Sequence, residues 1–281
     1  MRALLGVGVM LLVLAPAAHG APGVRRGGAE PRIITVQQAH LERNADLRAL
    51  IEAVQLDADA FIVLCGGASK RSETTATALR AMVDALVALA AERRIAVGDS
   101  GIRGGIMEAA GQARLASRGA FPLIGVAPAG AIPPAGRTPI DPNHSHIVAV
   151  HDPALPAHDA GWGSERATMY WLFGRLAHGR ASVAIVAGGR GLTVDEVAAN
   201  VEVGRPTVLI EASGGAADAV IALLRGAAPV DSEGALLQQK ARDLRVTRRP
   251  ELFHIVPIAG GAAALLEALG TALGPVLPRT P

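Results

Sequence analysis

Eight short apolar runs recur along this chain, each followed by a turn and a stretch with helical periodicity. They lie at 33–36, 61–64, 95–97, 123–126, 147–150, 183–187, 207–211 and 253–258. A run that is apolar on both faces reads as a strand buried between two helical layers, the environment of a parallel sheet. Helices are expected at 41–54, 74–91, 107–115, 166–177, 194–201, 219–224, 236–243 and 262–273; at 74–91, Leu79, Met82, Val83, Leu86 and Leu89 form one inward stripe. The crossovers are short. The expected architecture is therefore α/β and Rossmann-like: a doubly wound, mostly parallel sheet with helices on both faces, formed by residues 31–275 as a single domain. Residues 276–281 are a tail.

The stretch 183–220 holds two of these units back to back. Gly188-Gly189-Arg190-Gly191 turns the backbone sharply with no β-carbon in the way. Thr193 followed by Glu196 predicts a capping box, each side chain taking one free helix N–H. Val194, Val197, Ala198 and Val201 share one helical face, and Gly204 with Pro206 marks the stop. After the strand 207–211, Ser213-Gly214-Gly215 opens the next helix.

Two more glycine turns follow earlier strands. One is Gly66-Gly67-Ala68-Ser69, with Lys70 and Arg71 beside it; the other spans 98–105 and contains Asp99, Ser100, Gly101 and Arg103. In open α/β sheets the ligand lies beyond the strand carboxyl ends. Helix N-termini there present free amides and a positive dipole end, which suits anions and phosphate above all. The candidate ligand-binding residues are thus Gly66, Gly67, Ala68, Ser69, Asp99, Ser100, Gly101, Gly188, Gly189, Arg190, Ser213, Gly214 and Gly215, expected around one cleft. Asp99 stands where a carboxylate meets ribose hydroxyls in dinucleotide folds, although no GxGxxG fingerprint is present. Each turn taken alone has a plainer explanation, since strand-to-helix turns need glycine. Four of them on one sheet edge favour a site.

Composition removes other classes of partner. Aromatic residues make up 2% of the 281 residues and the net charge is +2, with no long Lys/Arg block. A nucleic-acid partner is not expected, because both the stacking platforms and the phosphate-tracking stripe are missing. A single cysteine, Cys65, excludes an internal disulfide framework and a cysteine-based zinc site. No transmembrane span is expected. Arg2, the apolar run 3–14, Pro16 and Ala18-His19-Gly20 have the layout of a secretory signal, so residues 1–30 read as a signal peptide or an unstructured extension. That pattern argues for export, whereas a nucleotide ligand argues for the cytoplasm; the cytoplasm is favoured slightly.

Two polar motifs remain. Asp141-Pro142-Asn143-His144-Ser145-His146 enters the strand 147–150, with the two histidines two apart. A metal would need a third ligand, Asp141 or Asp152; the loop is read instead as lining a cleft or the surface, and no metal is expected. Trp162, Tyr170 and Trp171 cluster around Gly163-Ser164-Glu165. They either wall an adenine pocket or pack a surface helix.

Taken together, Leu64-Cys65-Gly66-Gly67-Ala68, Asp99-Ser100-Gly101, the DPNHSH run from Asp141, Trp162-Gly163-Ser164-Glu165, Gly188-Gly189 with Glu196, and Gly204-Arg205-Pro206 leading to Ser213-Gly214-Gly215-Ala216-Ala217-Asp218 resemble the prokaryotic branch of the SLOG superfamily. That branch is similar to the N-terminal domain of melastatin-type TRP channels, and more distantly to the lonely-guy phosphoribohydrolases. The resemblance implies a Rossmann-like fold and binding of a nucleotide-derived small molecule such as ADP-ribose or NAD. The PGGxGTxxE motif of the lonely-guy enzymes is echoed at 187–196, with Ala187 in place of proline and Leu192 as an extra residue. Two functions follow. The first is a ligand-sensing module without chemistry of its own and without a certain cofactor. The alternative is hydrolysis of a nucleoside monophosphate at its N-glycosidic bond, with Glu196 as the catalytic carboxylate and Arg190 or Arg103 on the phosphate. The capping box competes with that role for Glu196.

Overall fold

The computed structural model describes residues 30–67, 73–155 and 161–274. All eight expected strands form: β1 (Arg32–Gln37), β2 (Ala60–Gly67), β3 (Ile95–Asp99), β4 (Leu123–Pro128), β5 (His146–His151), β6 (Ala181–Gly188), β7 (Thr207–Glu211) and β8 (Phe253–Pro257). They make one sheet in the order β1-β5-β4-β3-β2-β6-β7-β8, and every pairing is parallel. The sheet is therefore wholly parallel rather than mostly so.

Helices α1 (Ala45–Asp57), α2 (Glu73–Glu92), α3 (Gly105–Ala116), α4 (Arg166–Leu176), α5 (Gly191–Glu202), α6 (Gly215–Leu224), α7 (Ser232–Asp243) and α8 (Gly261–Leu273) complete the layers. Successive side chains of a strand point to opposite faces, and the two halves of the core follow from that. Phe61, Val63 and Cys65 of β2, with Ala184 and Val186 of β6, pack under α1, α4, α5 and α6. Ala60, Ile62 and Leu64, with Val183 and Ile185, pack under α2, α3 and α8. Each fully buried Val, Leu or Ile contributes roughly 1.5–3 kcal/mol, so a sheet apolar on both faces is held from both sides. The edge strand β1 alternates instead, with Ile34 and Val36 buried and Ile33 exposed.

Helix starts differ from expectation where a cap went unread. The Asn44 side chain accepts from the Leu47 amide at 2.9 Å and starts α1 there, while 38–43 form a short 3₁₀ segment. The Asp231 side chain accepts from the Gly234 amide at 2.7 Å, so α7 begins four residues ahead of the expected 236. Helix α2 is long and apolar enough to cross a membrane by length and composition, yet its Leu79, Met82, Val83, Leu86 and Val87 face is buried in the domain. The expected export signal, Ala68, Ser69, Lys70 and Arg71, and the tail lie outside the described residues.

Candidate functional site

The winding direction reverses between β2 and β6. From β2 the chain runs outward through β3, β4 and β5; from β6 it runs the other way through β7 and β8. Crossovers that leave two adjacent strands in opposite directions open a crevice at their carboxyl ends, the usual ligand position in such sheets. Here the two strand ends are glycine turns in register, Gly66 beside Ala187 and Gly67 beside Gly188.

A cleft of about 530 Å³ sits at that point. Gly66 and Gly67 line it from β2, Ser100 and Ile102 from the loop after β3, and Met107 from α3. Trp162, Gly163, Glu165, Arg166 and Met169 come from the start of α4, Arg190, Leu192, Thr193 and Glu196 from the start of α5, and Lys240 from α7. The glycines divide by what a side chain would meet. Gly66 has φ +145°, and a β-carbon on it would lie 2.2 Å from the Ala187 carbonyl oxygen, so two backbones cross there. Gly67 has room: the nearest atom to its would-be β-carbon is the Gly189 Cα at 4.0 Å.

Helix α5 begins at Gly191, with Arg190 extended ahead of it and no side chain capping it. The expected capping box is thus not formed. Thr193 lies in the first turn, its amide on the Arg190 carbonyl at 3.0 Å, and its side chain hydrogen-bonds the Glu196 carboxyl instead. The first amides of a helix have no intrahelical acceptor, and Gly191 and Leu192, which carry them, both line the cleft. Glu196, freed from capping, borders the cleft with its carboxyl pushed up to about 8. Burial is the main cause, followed by the nearby Glu165 charge, while the Thr193 hydrogen bond works the other way.

A buried network holds Glu196 from behind. Its carbonyl oxygen accepts from Tyr170 Oη at 3.1 Å and Asn200 Nδ2 at 2.9 Å. Asn200 Oδ1 in turn accepts from Arg205 Nη1 at 2.5 Å, and Arg205 Nε donates to Ser182 Oγ at 3.2 Å. Cys65 Sγ is 3.7 Å from Tyr170 Oη and 3.6 Å from Asn200 Nδ2. Burial pushes the Cys65 thiol up, so it stays protonated and unreactive. The arginine of the Gly204-Arg205-Pro206 run therefore serves the support of α5.

The remaining candidate residues divide. Ser100 lines the cleft, and its hydroxyl has no hydrogen-bond partner among the described residues. Asp99 lies below the floor, 1% exposed, with Oδ1 accepting from the Gly101 amide at 2.6 Å and facing His144 Nε2 at 2.8 Å. Burial disfavours charge on His144, but the Asp99 charge and hydrogen bond outweigh it, and its pKa moves up. Gly101 packs against Ile147 and Gly125 rather than the cleft. The two histidines of the DPNHSH run part company: His146 Nδ1 is 3.1 Å from Ser145 Oγ, and among the described residues no three His, Cys, Asp or Glu side chains converge as a metal site. Arg103 is not on the cleft lining.

The fourth glycine turn does not border this cleft. Ser213 Oγ donates to the Ile210 carbonyl at 2.6 Å and accepts from the Gly188 amide at 2.8 Å. A β-carbon on Gly215 would lie 2.1 Å from the Gly189 carbonyl oxygen, and a β-carbon on Gly189 would meet Thr193 Oγ1 at 2.3 Å. Gly188, Gly189, Ser213 and Gly215 buttress one turn against another. Asp218 already takes the amides of Ala212 and Gly214, at 2.8 and 3.0 Å. Gly214 and Gly215 border a separate cavity of about 270 Å³ beside Asp218, Asp231 and Glu233, an acidic place unsuited to an anion.

Several cleft residues were not among the candidate ligand-binding residues: Glu165, Arg166, Lys240, Met107 and Met169. Glu165 is 5% exposed, its Oε2 accepting from the Gly163 amide at 2.7 Å, and burial pushes its carboxyl up. Arg166 and Lys240 meet on one carboxylate oxygen of Asp195, at 3.0 and 2.6 Å. Arg190 pairs with Glu233 at 3.7 Å. Of the aromatic cluster only Trp162 faces the cleft; Trp171 carries the Arg175 guanidinium 5.6 Å over its ring, and Tyr170 belongs to the network behind Glu196.

The family model described as "SLOG in TRPM, prokaryote" matches residues 59–277. The chain belongs to that family. No curated protein matches this SLOG domain. Among solved structures it is similar to the X-ray structure of TM1055, a structural genomics target, at 19% identity, covering 75% of this chain and 99% of that one with a TM-score of 0.47. The matched region begins at Asp59, so it contains both faces of the cleft, from β2 to α7.

Proposed function

We propose that this SLOG domain binds a nucleotide-derived ligand of the ADP-ribose or NAD type in the cleft between β2 and β6. The observation that carries the reading is the position of the α5 start: Gly191 and Leu192, whose amides have no acceptor within the helix, line a roomy cleft at the point where the winding reverses. Phosphate fits those amides and the helix dipole behind them, and Gly67 leaves the opposite wall open to a close approach. The apolar part, formed by Ile102, Met107, Met169, Trp162 and Leu192, suits a planar ring. Titration calorimetry of the full chain with ADP-ribose, NAD⁺, AMP and cyclic nucleotides tests this; no heat with any of them at millimolar concentration sinks it.

One observation favours a second reading, hydrolysis of an N-glycosidic bond. Glu196 borders the cleft, is not spent on a helix cap, and has its carboxyl near 8. A carboxyl poised near the working pH beside a bound ribose is what acid–base assistance to an oxocarbenium-like state requires. Arg190 and Arg166, both on the lining, are placed to meet the phosphate. Release of free base from AMP, lost in Glu196→Gln, would establish turnover. Binding of AMP with the nucleotide intact after overnight incubation would leave the sensing role alone.

A further inference from the structure

The charges around the cleft are not evenly matched. Its three lining cations have carboxylate partners outside the lining: Arg166 and Lys240 share Asp195, and Arg190 faces Glu233. Its two lining acids differ. Among the described residues neither Glu165 nor Glu196 pairs with a cation; Glu165 is 95% buried and held by the Gly163 amide, and Glu196 by the Thr193 side chain. Only the Arg166 charge, itself shared with Asp195, acts on Glu165; a buried carboxylate without an ion pair of its own is costly to maintain, and Glu165 and Glu196 repel each other as well. Beside them lie the Trp162 indole and the thioethers of Met107 and Met169, polarisable surfaces that attract a cation lying over them.

We infer that the ring this cleft receives is positively charged, an N-ribosylated pyridinium or a heterocycle like it. The inference rests on the nucleotide reading above and narrows it. Phosphate goes to the α5 amides, and the cationic ring goes to the Glu165–Glu196 end, where it supplies the missing counter-charge. A divalent metal ion fits less well, because no third ligating side chain converges there among the described residues.

Proton linkage follows. Glu196 faces Glu165 from the start of α4, Asp195 on its own helix and Asp99 from the end of β3, with Tyr170 and Cys65 at its back and Arg205 beyond them. Burial and these negative neighbours hold its proton on at neutral pH. An arriving cation offsets that repulsion, so Glu196 gives up its proton as the cation binds.

NAD⁺ and NADH separate this idea from its parent, because they share every phosphate and sugar and differ in ring charge. The experiment is calorimetry of the full chain at neutral pH in two buffers of different ionisation enthalpy, with NAD⁺, NADH and ADP-ribose. The expected result is NAD⁺ bound about tenfold or more tightly than NADH, with proton release for NAD⁺ only. Glu165→Gln should shrink that preference several-fold. Equal affinity for NAD⁺ and NADH, with ADP-ribose also bound, overturns the cationic ring and leaves the nucleotide reading standing. No binding of any of the three overturns both.

Discussion

Gly66 and Gly67 are adjacent, yet they answer to different constraints. At Gly66 a side chain would strike the Ala187 carbonyl and sit at φ +145°, so Gly66→Ala should cost about 1–3 kcal/mol in urea unfolding. At Gly67 the fold has space and the cleft does not. Gly67→Val should therefore keep the circular dichroism of the native protein and weaken nucleotide binding on the order of tenfold or more, as overpacking of a filled site does. Equal loss of folding and binding would mean that Gly67 serves the turn alone. Glu196 gives a second prediction, read through pH. Its carboxyl is near 8 when folded against an ordinary 4.5, so the native state holds a proton that the unfolded chain has released between those values. That contribution is fully present below about 4.5 and is lost as pH rises to about 8. Glu196→Gln removes this slope. It should match the wild type in acid and exceed it above pH 8 by on the order of 2 kcal/mol, a value reduced by water at the cleft mouth. Denaturation at a series of pH values checks it, and parallel curves for the two proteins would contradict it.

Helix α5 shows why the elements were easier to read than the site. Its stripe of Val194, Val197 and Val201 and its strand neighbours follow from local periodicity, because burial on a known face writes itself into spacing. Its start does not. Thr193 and Glu196 stand at capping-box spacing, but Gly191 lets the helix begin three residues sooner, and the same pair then becomes a hydrogen bond within the cleft wall. Lys240 left no local mark at all: it reaches the cleft only because α7 packs on α5. Asn200 ties the helix to the groups packed behind it. It joins Glu196, Tyr170 and the buried Arg205 guanidinium, so Asn200→Leu leaves a buried charge short of an acceptor and should cost about 3 kcal/mol. Tyr170→Phe removes two neutral hydrogen bonds, to the Glu196 carbonyl and from Asn200, and should cost about 1–2 kcal/mol. Denaturant midpoints for the two variants measure the difference.

At the scale of the molecule, sheet order was not legible. Eight βα units announce a doubly wound fold, but which strand lies beside β2 depends on long-range pairing that no local spacing encodes. That placement decides function: with β6 beside β2, the first and third glycine turns face each other, while the fourth, one strand farther out, becomes their support. Retention in the cytoplasm, against export through the N-terminal pattern, is a further proposal at this scale. Mass spectrometry of the mature protein from a native-like host should find the chain uncut at Ala21 if it works on a cytoplasmic nucleotide. The lone Cys65 offers a way to watch the same region move. It is the only thiol in the chain, fully enclosed behind the catalytic candidate, and kept protonated. An alkylating reagent can mark it only during the instants when that part of the core comes apart, so the rate of labelling is a clock for local opening. A ligand seated in the cleft must slow that clock in proportion to its occupancy, which turns one inert sulfur into a readout of binding that needs no enzymatic turnover.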